Sequence, residues 1–255
     1  MIKYVVFSRF NHIHRTLDDP RTRRCMLNPK WWEKRVKLFN KFTLKSLEQQ
    51  TFKDFEIWTP VSPYADRGGA QHLLKSAREK GFHIFYDVAE NKTKFSKPYT
   101  EAIKKHKGVD YLVFINLDSD DVYAANAIEK IASYEPEPGL VLIFQDGYIY
   151  DPRIDRLAEY RMDNSPPPFF AMFYTKRALK NERRFLEYED EWKMDGFHYE
   201  MLGAKNHKLI GNGYYSYIVH GSNTSTAWQK PETVRHVGEN LEGEEKQKIK
   251  KLLGL

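Results

Sequence analysis

Three carboxylates stand within four residues at Asp118-Ser119-Asp120-Asp121. Like charges this close repel one another unless a cation sits among them. Hard divalent cations such as Mg²⁺ and Mn²⁺ prefer oxygen ligands and share them with substrate phosphates. The run therefore reads as a metal site with a phosphate-bearing substrate. The competing reading is a solvated turn or a helix N-cap, with Ser119 or Asp120 capping the helix that follows. The preceding residues favour the metal. Tyr111-Leu112-Val113-Phe114-Ile115-Asn116-Leu117 is the clearest strand in the sequence, a continuous apolar run of the kind buried in a parallel sheet. Ligands of such sheets bind outside the carboxyl ends of strands, and the acidic run begins where this strand ends.

A second constellation lies near the end, at Val219-His220-Gly221-Ser222-Asn223-Thr224-Ser225. Its loop offers amides and hydroxyls suited to phosphate. His220 itself is either a ligand or a structural ring. The one cysteine, Cys25, excludes a disulfide within the chain and a Cys-based zinc site, and fits a reducing cytoplasm. No Gly-x-x-x-x-Gly-Lys phosphate loop occurs.

The elements that must position these groups alternate. Ile2 to Ser8 reads as a buried first strand, followed by a polar loop from Arg9 to Lys30. Trp31 to Gln50 reads as a helix, with Trp32, Val36, Phe39, Thr43 and Leu47 on one face. Phe55–Thr59 and His83–Tyr86 read as strands, and Ala70–Lys80 and Tyr99–His106 as helices. After the acidic run, Ala124 to Tyr134 reads as a helix and Leu140 to Phe144 as a strand. Strand and helix in alternation argue an α/β fold with a mostly parallel central sheet flanked by helices. The second half is less regular, with a break at Asn164-Ser165-Pro166-Pro167-Pro168. Arg183 to Leu202 reads as helical, and Gly211 to His220 as an aromatic strand.

Length and charge bound the function. A chain of 255 residues suits a single domain. We divide it into a nucleotide-sugar half at about 1–125, an acceptor half at about 126–230 and a C-terminal basic helix at 231–255. A net charge of +6 suits an anionic ligand, whether nucleotide diphosphate, nucleic acid or acidic membrane surface. The basic runs at Arg21-Thr22-Arg23-Arg24 and Lys246-Gln247-Lys248-Ile249-Lys250-Lys251 read as solvated faces. Aromatic residues make up 15% of the chain, and either pack the core or line a sugar- or base-binding cleft. The N-terminal apolar run soon meets Arg9 and lacks the length of a signal peptide, and no stretch reaches the roughly 18 apolar residues of a membrane helix.

Three segments together resemble the family 2 glycosyltransferases and their relatives with the GT-A fold. Thr43 to Ile57 is similar to the family's first helix, its Gln-Thr-aromatic turn and its second strand. Tyr99 to Asp121 is similar to the helix, the glycine and the strand that ends in Leu-Asp-Ser-Asp-Asp. Trp192 to Leu202 resembles the later acidic helix start. The Trp-rich approach to the first helix and the Arg9-Phe10 opening resemble the branch called putative rhamnosyl transferases.

The resemblance implies roles. Asp118 would face the ribose or base of the donor, Asp120 would bind the metal that bridges the diphosphate, and Asp121 would support it. A late His completes the metal shell in several GT-A enzymes, which gives His220 that part. Asp195 would be the catalytic base of an inverting transfer, with Glu200 and Glu191 as alternatives and a helix N-cap as the structural reading. The chain departs from the family after the second strand, where Thr59-Pro60-Val61-Ser62-Pro63-Tyr64 replaces an acidic pair. Base recognition then falls to Asp66, Arg67 or Ser62. The first strand exits through Ser8-Arg9-Phe10-Asn11, where Arg9 either touches phosphate or pairs with an acid, and Ser8 joins the donor site.

The implied cofactor is Mg²⁺ or Mn²⁺. The implied partners are a nucleotide-diphosphate sugar and a glycan or lipid-linked glycan acceptor, in the cytoplasm or peripherally at the inner face of a membrane. Two other classes share some features. A nucleotidyltransferase would also cluster carboxylates, around two metals. A catalytically silent sugar or nucleic-acid binder would use the aromatic residues and basic charge. The acidic run repels polyanions, so no nucleic-acid partner is expected.

Overall fold

In a computed structural model of the chain, the described residues are 1–8, 28–61, 75, 79, 81, 83–86, 105–106, 108–162, 169–177, 187–188, 192–193, 202, 204–211, 213–221, 223, 228 and 230–255. The central sheet is built from β1 (Ile2–Phe7), β2 (Phe55–Val61), β3 (His83–Tyr86) and β4 (Tyr111–Asn116), all parallel. After β5 (Val122–Tyr123) come β6 (Val141–Phe144), β7 (Asp146–Asp151), β8 (Arg156–Arg161) and β9 (Phe170–Thr175). They are followed by β10 (Glu187–Tyr188), β11 (Trp192–Lys193), β12 (His207–Ile210), β13 (Tyr215–Ile218) and β14 (Val237–Asn240). The central sheet has the order β12-β6-β9-β4-β1-β2-β3, and only β9 runs against its neighbours. This is the mostly parallel α/β sheet expected of a GT-A fold.

Both faces of that sheet are covered, which is why its strands read as continuous apolar runs rather than alternating ones. Along β1, Tyr4 and Val6 enter one core cluster, with Val113, Ile115 and Phe173. Val5 and Phe7 enter another, with Leu112, Phe114 and Met172. The first cluster is roofed by a long helical run. It opens with α1 (Pro29–Leu38), whose N-cap Asn28 accepts a hydrogen bond from Lys30 N at 3.0 Å and whose proline occupies the first turn. It continues through a π-helical segment, Phe39–Leu44, into α2 (Lys45–Glu48). The wider π turns keep Phe39, Thr43 and Leu47 buried as expected, and bring Phe42 and Leu44 inward as well. At the end of the run Gln50 is buried. Its Nε2 donates to Ala124 O and its Oε1 accepts from Ile128 N. It thereby clamps the helical run to the start of α3 (Ala127–Ala132).

The second half holds a sheet that periodicity did not reveal, of order β14-β8-β7-β13-β5. β5, β13 and β14 have only two to four residues, and β7, though six residues long, is buried in a pattern that does not alternate cleanly, so a period of two does not stand out. Gly147 in β7 has a specific duty: a Cβ there would lie 2.5 Å from the Tyr215 ring, so only glycine lets that ring lie across the strand.

Three expectations are corrected. Within Arg183–Leu202 the described residues 187–188 and 192–193 are strand rather than helix; Glu187 pairs with Lys193 and Tyr188 with Trp192 as an antiparallel ladder, and of the segment's described residues only Leu202 is in a helical turn. The aromatic residues Tyr188 and Trp192 favour a pleated backbone, and here the cross-strand pairing overrides the helical spacing of Phe185, Tyr188 and Trp192. Residues 231–255 are not one basic helix but α4 (Pro231–Val234), β14 and α5 (Gly243–Leu253). Nor is the basic run there wholly solvated. Lys246 and Lys250 reach Asp155 at 2.7 and 2.8 Å, while Ile249, Leu252 and Leu253 of α5 pack on the core around Phe42, Val122 and Leu241. The helices read at 70–80 and 99–106 fall almost wholly outside the described residues. Among the described residues, no helix is long and apolar enough to cross a membrane.

Candidate functional site

The chain runs from β1 to β2 and β3 on one side, while β4 lies on the other. That reversal is a topological switch point, and it opens a crevice beyond the carboxyl ends of β1 and β4. Leu117 N donates to Phe7 O at 3.1 Å and ties the end of β4 to that of β1, while Ser8 N donates to Trp58 O at 2.9 Å and ties β1 to β2. The acidic run turns here, closed by Asp121 N donating to Asp118 O at 3.2 Å, and then enters β5. It does not cap a helix: α3 begins later, with Asn126 at its N-cap.

β5 pairs with β13, Tyr123 opposite Tyr215 and Val122 opposite Ser216. The residues after Ser216 therefore run back alongside the acids. His220 arrives there, and its Nε2 lies 2.8 Å from Asp120 Oδ2. Arg35 reaches the same carboxylate from α1. Its Nη1 donates to Oδ2 at 2.6 Å and its Nη2 to Oδ1 at 2.8 Å, while Nη2 also meets Ser119 Oγ at 2.9 Å. Asp121 is fixed differently. Its Oδ1 accepts the Ile218 N–H at 2.9 Å, and its carbonyl accepts from Thr43 Oγ1 at 2.8 Å. Beneath lies an aromatic floor of Tyr123, Phe169, Tyr215 and Tyr217, in which Phe169 stacks on Tyr215 at 3.9 Å. The Tyr123 hydroxyl donates to Asn116 O at 2.6 Å.

Neighbouring carboxyls in this run titrate in opposite directions. Burial alone would raise Asp120, but the Arg35 guanidinium and His220 outweigh it and hold the carboxyl down at about 2. Asp121 is pushed well above the ordinary carboxylate value by burial and by the charges of Asp120 and Asp118. Folded Asp121 thus holds its proton above the pH, near 4, at which an unfolded aspartate loses it. Its contribution to stability is full below about pH 4 and is lost as pH rises through the folded value. Asp121→Asn keeps an oxygen for Ile218 and never ionises. Melting curves in EDTA are expected to place this variant above the parent at pH 7, with the gain gone by about pH 4. A variant that melts lower at pH 7 would contradict this balance.

Of the residues singled out from sequence, Asp120 and His220 are brought together, with Asp121 beside them. Asp118 is half-buried at the lip of the run. Ser8 follows β1, buried, with an Oγ that has no hydrogen-bond partner among the described residues. Arg9, Asp66, Asp195, Arg67, Ser62, Glu191 and Glu200 lie outside the described residues. Arg35 was missed. It is one of several basic residues on α1, and only the packing of the helix over the sheet selects it.

Among the described residues, no group of three or more His, Cys, Asp or Glu side chains is arranged as a metal cage. The donors present nevertheless suit a divalent cation that the substrate helps to hold. Mg²⁺ is commonly bound through one or two carboxylates plus substrate phosphates. Asp120 and His220 offer an oxygen and a nitrogen at one point of the crevice, and Asp118 borders it.

The sequence matches the family model described as putative rhamnosyl transferase over residues 3–148. No curated protein matches the chain. Several solved structures are similar to it. S. aureus TarS shares 16% identity at a TM-score of 0.44, over 85% of this chain and 37% of that one, so the chain spans little more than a third of TarS. The inositol-1-phosphate CTP transferase from T. maritima shares 12% identity at a TM-score of 0.41, over 97% and 96% of the two chains. A putative nucleotide-diphospho-sugar transferase from Desulfovibrio desulfuricans G20 shares 10% identity at a TM-score of 0.38, over 99% and 96%.

Proposed function

The chain belongs to the putative rhamnosyl transferase family, and from that premise we propose that it moves a hexosyl or deoxyhexosyl group from a nucleotide-diphosphate sugar to an acceptor hydroxyl, with inversion and with a divalent cation at Asp120 and His220. The observation that carries the metal reading is the pairing of those two side chains, a hundred residues apart in sequence, at the switch point of the sheet. A cation held there supplies charge neutralisation on the departing nucleotide diphosphate.

The chain's own residues account for the rest. Asp118 orients the ribose or base, and Ser8 offers a hydroxyl unpaired among the described residues, just after β1. Arg9 and Asp66 complete the donor side. Asp195, on the acceptor side, takes the proton from the attacking hydroxyl. We place the acceptor among glycans or lipid-linked glycans, reached in the cytoplasm or at the inner face of a membrane.

The test is turnover across a panel of sugar nucleotides, with EDTA and with Mn²⁺ or Mg²⁺ restored. We expect one donor to be consumed, activity to vanish in EDTA, and the product to have the opposite anomeric configuration to the donor. Full activity in EDTA would remove the metal from this reading, and a retained configuration would remove the inverting mechanism. Formation of a sugar nucleotide from a sugar phosphate and a nucleoside triphosphate would instead identify a nucleotidyltransferase.

A further inference from the structure

Arg35 has no part in the reading above, and its geometry is specific. Its guanidinium grips Asp120 with two parallel bonds, at 2.6 and 2.8 Å, and a third bond goes to Ser119. The pair is largely out of water, with side chains 19% and 13% exposed. Asp120 Oδ2 is met by both Arg35 Nη1 and His220 Nε2, so that oxygen already has two partners. A cation approaching Asp120 through Oδ2 must displace one of them, and one approaching through Oδ1, which accepts from Arg35 Nη2, would sit against the guanidinium's positive charge. The His220 nitrogen facing Asp120 likewise cannot serve a metal while it holds that hydrogen bond. One further observation concerns the guanidinium itself. Its Nε–H is buried and has no partner among the described residues, so the group retains a donor that Asp120 does not use. A planar fork with a spare N–H suits phosphate oxygens as well as it suits a carboxylate.

We propose that Arg35 is the resident counter-cation of the acidic run: it holds Asp120 while no metal is bound, and exchanges it for the diphosphate of the donor as a divalent cation takes Asp120. This rests on the metal reading proposed above. The consequence is that metal and diphosphate bind together well and metal alone binds poorly. Without the exchange, Arg35 would be a staple between α1 and the acidic run, acting only on stability.

The test is calorimetric titration of the full chain and of Arg35→Met, first with Mn²⁺ alone and then with the preformed Mn²⁺–pyrophosphate complex. Exchange predicts changes of opposite sign. Arg35→Met should bind Mn²⁺ alone about tenfold more tightly, because its competitor is gone, and the complex about tenfold more weakly, a size ordinary for coupled sites. Should Arg35→Met fail to fold, as judged by its melting curve, Arg35→Lys keeps the charge but loses the fork. It should bind the complex several-fold more weakly, with its affinity for Mn²⁺ alone unchanged or tighter. Unchanged affinities, or both weakened together as a loosened fold would give, overturn the proposal. If neither parent nor variant binds Mn²⁺ in either form, the metal reading itself fails and takes this proposal with it.

Discussion

Asp120→Asn is expected to lower turnover by about 10²–10³-fold or more, the scale of losing one preorganised charge contact in a transition state. The substitution keeps the shape of the side chain and an oxygen for Arg35 or His220, so the fold should largely survive. What it removes is the negative charge that pairs with Arg35 and that the proposed cation would use. Asp120→Ala goes further, leaving the Arg35 guanidinium without its carboxylate in a mostly water-free place. Breaking one side of such a pair typically costs about 3–5 kcal/mol. Comparing the two variants separates chemistry from stability. The stability difference has a defined pH window. The folded carboxyl is held down at about 2, so its contribution is full above the unfolded value and is lost as pH falls through the folded one. The gap in melting temperature between parent and Asp120→Ala should therefore narrow as pH falls below about 4. Turnover in Asp120→Asn close to that of the parent would defeat the assignment of Asp120 to the reaction.

Asp195→Asn is expected to cut turnover by about 10²–10⁴-fold with donor affinity little changed, the usual weight of general-base catalysis. An attacking hydroxyl must lose its proton as it bonds to the anomeric carbon, and the carboxylates at the crevice are poorly suited to receive it. Asp120 is ionised but engaged by Arg35 and His220, and its depressed value makes it a weak base. Asp121 is buried, with one oxygen held by Ile218. A base supplied from the acceptor side would meet the requirement, and we propose Asp195 because its segment resembles the family's acidic helix start. If Asp195 were instead a helix N-cap, Asn would replace it at almost no cost, since the two cap about equally well. Near-normal turnover in Asp195→Asn would therefore return the residue to a structural role.

The sequence alone carried the strands of the first half and pointed to a candidate site. A seven-residue apolar run ending in three acids can be read without coordinates, because burial on both faces leaves a continuous hydrophobic signature and an acidic cluster needs a cation. β1, β3, β4 and β6 fell where their apolar runs predicted, and the helical run from Pro29 to Glu48 matched its periodicity despite the π segment. Motif order supplied the family. Tertiary structure decided what local pattern does not encode. The second sheet sets β13 between β5 and β7, so its pairing depends on partners far along the chain. That pairing sets β13 against β5 and carries His220 to Asp120, where spacing alone had left its role open. Packing also divided the acids. Asp118, Asp120 and Asp121 look alike in sequence, yet Arg35 and His220 keep Asp120 charged, while burial without a counter-charge of its own drives Asp121 toward the neutral form. Charge state follows the distance to a partner and the loss of water, and both are fixed only when α1, β4 and β13 meet.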